Sequence, residues 1–341
     1  MDTIGMDLHK RESQLCILVA QTGEVIERRI ATTRERLTAV LGGRLPARIL
    51  LEASTESEWV ARHLESLGLT VIVADPSYAP MYAHRRRGVK TDRRDAQALM
   101  EALQRGHYRA IHRASADQRH VRAQLAVRDA LIRTRSRYVN VVRALTRREG
   151  LRIPSGGAEH LERRLATLPL EEQLTRELAP LRTVLKPVNA QIAQADELLS
   201  LRAREDPRVA LLCTMPQISP VTAVAFIATL DDVARFGSAH QVQGYLGLTP
   251  REYSSGERQQ RGRISKTGNP RMRSLLVETG WRILRSRDPR LAALHAWGEQ
   301  VAARRGAAIA AVALARRVAG ILYAMWRDGV HYRESASAAV A

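Results

Sequence analysis

The sequence predicts a mixed α/β domain over residues 1–112, a helical hairpin or coiled coil over 113–206, a mainly α-helical domain over 207–330 and a flexible tail over 331–341. Three observations predict this division. The first hundred residues contain short runs that alternate apolar and polar side chains, as strands do, between helical stretches. The middle repeats its apolar residues at helical spacing. The last part combines apolar helical stretches with one cationic segment that contains glycine.

The N-terminal domain begins with three predicted strands, at residues 4–8, 14–20 and 25–30. Polar turns separate the three runs, which is typical of an antiparallel meander.

The rest of this domain alternates helices with apolar strands. We expect a helix over 33–41, a strand over 48–53, a helix over 56–67, a strand over 70–74 and a helix over 91–104. The order βββαβαβα is typical of a mixed sheet with helices packed on it.

The middle of the chain predicts two long helices. Residues 116–148 carry arginines on the faces that the apolar residues leave open, and Arg133 and Arg137 of this basic helix are predicted contacts to nucleic acid. We expect prolines to interrupt the second helical region, 158–204, at Pro169, Pro180 and Pro187. Two long helices joined by a polar loop form either an antiparallel hairpin or an intermolecular coiled coil.

The C-terminal part predicts helices on both sides of a turn at residues 215–220 and a further helix around 240–246. Helices are also expected over 271–285 and over 307–326, the latter an alanine-rich core helix. Residues 251–270 contain three glycines, many cations and no apolar period, and therefore predict a loop.

The charge of the chain predicts a polyanionic partner. The chain has 341 residues, with 54 Lys and Arg against 35 Asp and Glu, and a formal net charge of +19. The excess is concentrated in residues 85–95, 109–152 and 251–287, whereas a merely solvated surface mixes both signs. This concentration favours contact with a phosphate backbone and disfavours an enzyme of small cationic substrates. With two Phe and four Trp, stacking of bases on aromatic side chains is not expected to dominate.

Cysteine usage and hydropathy predict a soluble, cytoplasmic protein without a membrane partner. The two cysteines, Cys16 and Cys213, are far apart and lack the spacing of a disulfide framework or a zinc site. No signal peptide is visible. The longest apolar stretches, 209–215 and 221–230, are shorter than the roughly 20 residues that cross a bilayer.

Four carboxylates stand out by their placement. Asp7 and Glu52 end the first and fourth predicted strands, and Asp92 and Asp95 lie three apart at the start of a helix. Singly, such an acid is more often a helix cap or the partner of an arginine. If the two strands are neighbours, all four converge and need a cation, and hard oxygen ligands suit Mg²⁺. Two such ions are able to clamp the attacking and leaving oxygens of phosphoryl transfer.

A second candidate site is the cationic loop that contains Ser254, Ser255 and Gly256. Serine beside glycine exposes its hydroxyl, but the same residues are ordinary turn chemistry, and the loop alone is weak evidence for a nucleophile. Four cations of this region are candidates to hold a phosphate: Arg258, Arg263, Lys266 and Arg273.

Several segments together resemble the DEDD transposases of the insertion sequence 110 family. The N-terminal ones are GMDLHK at 5–10, LEAS at 51–54 and KTDRRDA at 90–96. The C-terminal ones are MPQI at 215–218, GLTP at 247–250, SG at 255–256 and GRISKTGN at 262–269, followed by Arg273. The resemblance spans about residues 4–326. One departure follows Glu52. The sequence reads Ala53-Ser54-Thr55-Glu56 where many members have Ser-Thr-Gly, so Glu56 replaces the glycine.

The resemblance implies a ribonuclease H-like N-terminal domain, similar to Holliday-junction resolvases, in which Asp7, Glu52, Asp92 and Asp95 bind Mg²⁺ and are catalytic. It also implies a C-terminal transposase domain with a serine nucleophile. Ser255 matches that nucleophile, and Ser254 is its rival.

The resemblance further implies an RNA-guided recombinase. A structured non-coding bridge RNA pairs with donor and target DNA, and strand exchange passes through a phosphoserine intermediate. The basic helical middle then binds RNA and builds a tetramer, a dimer of dimers whose sites combine residues of different protomers. The protein is expected in the bacterial cytoplasm, associated with the nucleoid.

Three functions remain open at this point. The first is the RNA-guided serine recombinase. The second is a Mg²⁺-dependent endonuclease of resolvase type that uses water, with a C-terminal domain that only binds DNA. The third is a non-catalytic nucleic-acid-binding protein whose acids are structural.

Overall fold

The computed structural model describes residues 1–44, 46–82, 91–252 and 261–333. The chain divides into two compact units, with the boundary between Arg113 and Ala114. Most of the predicted tail lies outside the described residues. The finer division into three domains remains a prediction.

The first unit is built on a mixed five-stranded sheet. Its strands are β1 (Asp2–Leu8), β2 (Glu12–Leu18), β3 (Val25–Ala31), β4 (Ala47–Glu52) and β5 (Thr70–Ala74). The spatial order is β3-β2-β1-β4-β5, in which the first three strands pair antiparallel and β1, β4 and β5 pair parallel. The predicted meander and mixed sheet are therefore confirmed.

Three helices cover the sheet: α1 (Arg34–Leu41), α2 (Ser57–Ser66) and α3 (Asp92–Arg105). Because side chains alternate between the faces of a strand, Ile4 and Met6 of β1 enter the apolar core with α1 and α2. Gly5 and Asp7 have the opposite parity and face α3. This alternation places an acid of β1 on the face that α3 covers.

Gly5 brings the backbones of α3 and β1 into direct contact. A Cβ atom at this position would lie 2.1 Å from the carbonyl oxygen of Ala96 and 2.3 Å from the amide nitrogen of Met100. Both neighbours are backbone atoms, which no change of rotamer moves aside. The absence of a side chain at Gly5 therefore sets the distance between strand and helix.

The second unit begins with two long helices, α4 (Ala116–Arg148) and α6 (Glu172–Glu205), with the short α5 (Leu161–Leu165) between them. Arg128 of α4 contacts Asp196 of α6, and Arg135 Nη1 donates to Asn189 Oδ1 over 3.3 Å. The later residue of α4 therefore contacts the earlier residue of α6. The helices therefore pack antiparallel. The predicted intermolecular coiled coil stays a prediction.

The prediction that Pro180 and Pro187 interrupt the second helix was wrong, because α6 continues through both. A proline inside a helix removes one hydrogen bond and costs roughly 3 kcal/mol. Both prolines lie on the exposed face of α6, where the carbonyl groups that lose their partners can bond to water. Six buried residues line the opposite face and offset the cost: Leu174, Leu178, Leu185, Ile192, Leu199 and Ala203.

The rest of the second unit is mainly helical. It contains α7 (Pro207–Leu212), α8 (Pro220–Leu230), α9 (Ala239–Tyr245), β6 (Pro250–Glu252), β7 (Arg261–Ile264), α10 (Pro270–Leu284), α11 (Ala292–Arg305) and α12 (Ala307–Asp328). The short antiparallel pair β6 and β7 corrects the predicted loop over 251–270. The two strands are held by backbone hydrogen bonds between β6 and β7, which do not require the alternation of apolar and polar side chains that the sequence lacks here.

Helix α12 is the core helix that the sequence predicts. Among the described residues it alone has the length and apolar composition of a membrane span, yet half of its most apolar window is buried within the unit. Leu314, Val318 and Leu322 lie fully buried in the same core as α8 and α10. Its apolar character is explained by this packing.

Candidate metal centre

Two of the predicted acids lie at one edge of the sheet. Strands β1 and β4 are parallel neighbours, with Met6 opposite Leu51. Asp7 and Glu52 come next on each strand, so both carboxylates stand where parallel strands end. Asp7 is buried, with 8% of its surface exposed.

The other two acids lie in the first turn of α3. Thr91 caps this helix by accepting a hydrogen bond from the backbone amide of Arg94. Asp92 and Asp95 follow directly, where the helix dipole stabilises negative charge. Asp95 is buried, with 6% exposed, whereas half of the Asp92 side chain is open to solvent.

His9 lies between the strand and the helix. Its Nε2 atom is 3.3 Å from Asp7 Oδ2 and 3.5 Å from Asp92 Oδ1. One ligand atom from each of the three residues lies within 4.8 Å of the others, which is compatible with a shared metal ion. His9 is not among the site residues that the sequence predicts, and its place two residues after Asp7 was the available signal.

Tyr82 connects Glu52 to the other acids. Its hydroxyl donates a hydrogen bond to Glu52 Oε1. Burial, this hydrogen bond and the charges of Glu52, Asp95 and Asp7 raise the pKa of the Tyr82 phenol far above its usual value. The phenol is therefore a neutral donor close to three of the four carboxylates. No feature of the sequence marked Tyr82 in advance.

The electrostatics of Asp7 report the convergence of all four acids. Burial raises the pKa of Asp7, and the charges of Asp95, Asp92 and Glu52 raise it further, while His9 lowers it. By contrast Glu56, the departure from the family pattern, accepts a hydrogen bond from Trp59 Nε1 over 2.6 Å. Its carboxylate is thus held by α2.

The donor set fits a hard divalent cation. Carboxylate oxygens are the ligands that Mg²⁺ prefers, and Asp7 and Asp95 are buried beside further acids. A divalent cation relieves the repulsion that raises the pKa of Asp7. The acidic cluster is therefore compatible with a divalent metal ion, whereas the choice of Mg²⁺ and the four-acid ligand set stay predictions.

The second predicted site is described only at its borders, because Ser254, Ser255 and Arg258 lie outside the described residues. Arg263 and Lys266 are exposed on the C-terminal side of this segment. Arg273 Nη1 donates to the carbonyl groups of Leu246 over 3.2 Å, of Gly268 over 3.3 Å and of Thr267. Arg273 thus organises the loop, and its predicted contact to phosphate stays a prediction.

The two predicted nucleic-acid contacts on α4 lie one turn apart on an open face. Arg133 pairs with Asp129 over 2.6 Å and is 71% exposed. Arg133 and Arg137 line the same shallow groove of about 600 Å³, together with Ser136 and Asn140.

Comparison with known proteins shows the family of the chain. Residues 4–148 match the model of the DEDD transposases of IS110 type, described as a transposase, and residues 209–296 match "Transposase IS116/IS110/IS902 family". The chain is 31% identical over 339 residues to a "Probable family 20 transposase" of Pseudomonas aeruginosa, which covers 98% of this chain and 99% of that protein.

Two further relatives are named after insertion sequences. The transposase for insertion sequence element IS1111A of Coxiella burnetii is 28% identical and covers 97% of this chain and 91% of its own length. The transposase for insertion sequence element IS1328 of Yersinia enterocolitica is 28% identical and covers 96% and 97%. Because both parts of the chain match and full-length relatives share its whole extent, the chain belongs to the IS110/IS116 family of insertion-sequence transposases.

Proposed function

We propose that Asp7, Glu52, Asp92 and Asp95 hold Mg²⁺ and that this centre cleaves and rejoins DNA strands during transposition. The convergence of the four acids carries the proposal: burial raises the pKa of Asp7, and the charges of the other three acids raise it further. When bound, the metal ion polarises the phosphate and stabilises the charge that develops during phosphoryl transfer. Site residues with perturbed pKa values in such a cluster are typical of function.

The residues of the proposed centre have different roles. Asp7 and Glu52 fix two ligands on the rigid edge of the sheet, and α3 presents Asp92 and Asp95 from the side. Tyr82 orients the Glu52 carboxylate through its hydrogen bond. His9 bridges Asp7 and Asp92 and keeps the two elements in register.

We further propose the serine mechanism that the family resemblance suggests. The Oγ atom of Ser255 attacks a phosphodiester, a phosphoserine ester forms, and a strand hydroxyl leaves with the proton. A second strand hydroxyl later attacks the ester and restores Ser255, so the strand is rejoined without ATP. The exposed cations Arg263 and Lys266 beside this segment support the proposal. The endonuclease that uses water is the alternative.

The partners in this proposal are donor and target DNA, a bridge RNA and further copies of the chain. The cationic face of α4 supports a nucleic-acid partner, because Arg133 and Arg137 line an open groove. Since the substrate is DNA, we place the protein in the bacterial cytoplasm, at the nucleoid. A dimer of dimers remains the proposed assembly.

The experiment is strand cleavage of DNA that carries the element's ends, with the transcript of the flanking non-coding DNA and with Mg²⁺ or EDTA. Asp7→Asn and Asp95→Asn are expected to abolish cleavage. Asp2→Asn is the matched control, because Asp2 lies at the other end of β1 and contacts Arg44. Wild-type cleavage by Asp7→Asn would overturn the proposed centre.

Ser255→Ala tests the second part separately. We expect the wild type to form a covalent adduct with DNA and Ser255→Ala to form none. Cleavage without an adduct in both proteins would establish the endonuclease that uses water. An adduct that persists in Ser255→Ala and disappears in Ser254→Ala would assign the neighbouring serine.

A further inference from the structure

A second cavity of the C-terminal unit lies between the β6–β7 pair and the first turns of α12, and is called here the α12 groove. Its volume is about 720 Å³, within the range of roughly 300–1,000 Å³ that is usual for small-molecule sites. Three arginines line it, Arg263, Arg305 and Arg316. Lys266 and Arg273 do not line it.

The groove is strongly cationic. No Asp or Glu lies among the described residues that line it. The polar partners of Arg316 are neutral, since Nε donates to Gln243 Oε1 over 2.8 Å and Nη2 lies 3.4 Å from His240 Nδ1. Within the described part of the chain no carboxylate is within ion-pair distance of Arg263 or Arg305. Three positive charges therefore face the same space, and the described residues supply no counter-charge there.

The floor between these cations is apolar. Ile264 of β7 and Ile309 and Val312 of α12 form much of it. Ile309 has 46% of its surface exposed, although it is a large apolar residue. A ligand that complements this surface has several negative charges and an apolar body between them.

We propose that the α12 groove binds a single-stranded segment of nucleic acid. Phosphates lie on Arg263, Arg305 and Arg316, and a base or sugar lies on Ile309 and Val312. A duplex offers mainly phosphate and sugar to such a surface and leaves the floor uncovered, whereas an unpaired nucleotide covers both. The segment that contains Ser255 connects β6 to β7 in the sequence, and residues of both strands line the groove. This inference rests on the proposed function, which makes nucleic acid the partner.

The test is binding of labelled oligonucleotides to the full-length protein, measured by fluorescence anisotropy in EDTA so that no strand is cut. The probes are an oligothymidylate of about 12 nucleotides, near the usual site sizes for single strands, and a duplex of equal length. The variants are Arg305→Gln and Ile309→Ala. Arg304→Gln is the matched control, because Arg304 is the exposed neighbour that does not line the groove and donates to Gln300 O over 3.3 Å.

We expect Arg305→Gln to weaken binding of the oligothymidylate about tenfold, as the loss of one charge-assisted contact does. The slope of log K against log salt is expected to fall by about 0.7, the value for one phosphate of a single strand. Arg304→Gln is expected to change neither. Ile309→Ala should weaken binding of the single strand several-fold and leave binding of the duplex unchanged.

Equal affinities of Arg305→Gln and Arg304→Gln would overturn the inference. The inference would also be overturned if Ile309→Ala reduced the affinity for both probes equally, or changed neither affinity. Displacement of the oligothymidylate by a polyglutamate peptide at equal charge would assign the groove to an acidic protein segment instead. Wild-type cleavage by Asp7→Asn together with weakened binding by Arg305→Gln would remove the proposed metal centre and keep the groove.

Discussion

Substitution of Gly5 by alanine is expected to separate the strand and the helix that carry the acids. The new Cβ atom would lie 2.1 Å from Ala96 O. An ordinary contact needs about 3.4 Å or more, so the two backbones must move apart by about 1 Å. Because Asp7 follows two residues after Gly5 and Asp95 immediately precedes Ala96, the carboxylates separate with the backbones.

The expected loss has two parts. Overpacking of a core costs typically 1–3 kcal/mol, and contact with rigid backbone atoms places Gly5→Ala near 3. Alanine recovers about 0.5–1 kcal/mol of chain entropy relative to glycine, which leaves a net loss of about 2 kcal/mol. For a unit of this size the melting temperature falls by roughly 10 °C. A displacement near 1 Å of reacting groups costs about 100-fold in rate.

The assay combines thermal unfolding with Mg²⁺-dependent strand cleavage. Gly43→Ala is the matched control, because no atom lies within 4 Å of a Cβ atom at that position, and its stability should stay within about 0.5 kcal/mol of wild type. Gly5→Ala with wild-type melting temperature and cleavage would refute the close contact of α3 with β1. Reduced stability with unchanged Mg²⁺ dependence would refute the link between this contact and the metal centre.

Three further predictions concern single side chains. Tyr82→Phe removes the donor to Glu52, and we expect Mg²⁺ affinity, measured by titration calorimetry, to fall about 10- to 100-fold with little loss of stability; unchanged affinity would contradict the orienting role. The pKa of Asp7 is raised in the folded protein, so the contribution of Asp7 to metal-free stability is most favourable at low pH and decreases as pH rises from the usual carboxyl pKa of 3.8 through the raised value. In urea unfolding with EDTA, the free energy of unfolding of Asp7→Asn should therefore exceed that of wild type at pH 7 and equal it at low pH. A lower free energy of unfolding for Asp7→Asn at pH 7 would refute the repulsion. Burial, with Glu27 and Glu101, raises the pKa of the Cys16 thiol to about 11, so iodoacetamide at pH 8 should leave Cys16 unmodified until urea is added, as mass spectrometry would show.

The sheet and its acidic edge were predictable because they depend on short-range patterns. Strand alternation puts Asp7 on the face opposite to Ile4 and Met6, and parallel pairing of β1 with β4 brings Glu52 to the same edge. The cap residue Thr91 and the acids after it mark the start of α3 in the sequence. The strand alternation and the helix cap are local signals, whereas the pairing of β1 with β4 joins distant residues and entered the sequence analysis only as a condition.

The remaining features depend on contacts between distant residues. Tyr82 meets Glu52 because a short 3-10 helix, Ala79–Tyr82, follows β5 and brings the phenol to the carboxylate. Helix α11, with its alanines and glycine, has no marked apolar face, and the sequence did not predict it. Pro180 and Pro187 lie within α6 because packing of its other face outweighs a local preference.

The net charge is distributed unequally between the two units. Residues 1–113 contain 18 Lys and Arg against 14 Asp and Glu, so most of the net charge of +19 belongs to the second unit. A positive field attracts phosphates, so the cationic second unit suits nucleic acid. In the first unit the excess of positive charge lies in residues 85–95, the segment that also contains Asp92 and Asp95. Variants of α4 and of the α12 groove should accordingly change the salt dependence of DNA binding and leave the affinity for Mg²⁺ unchanged.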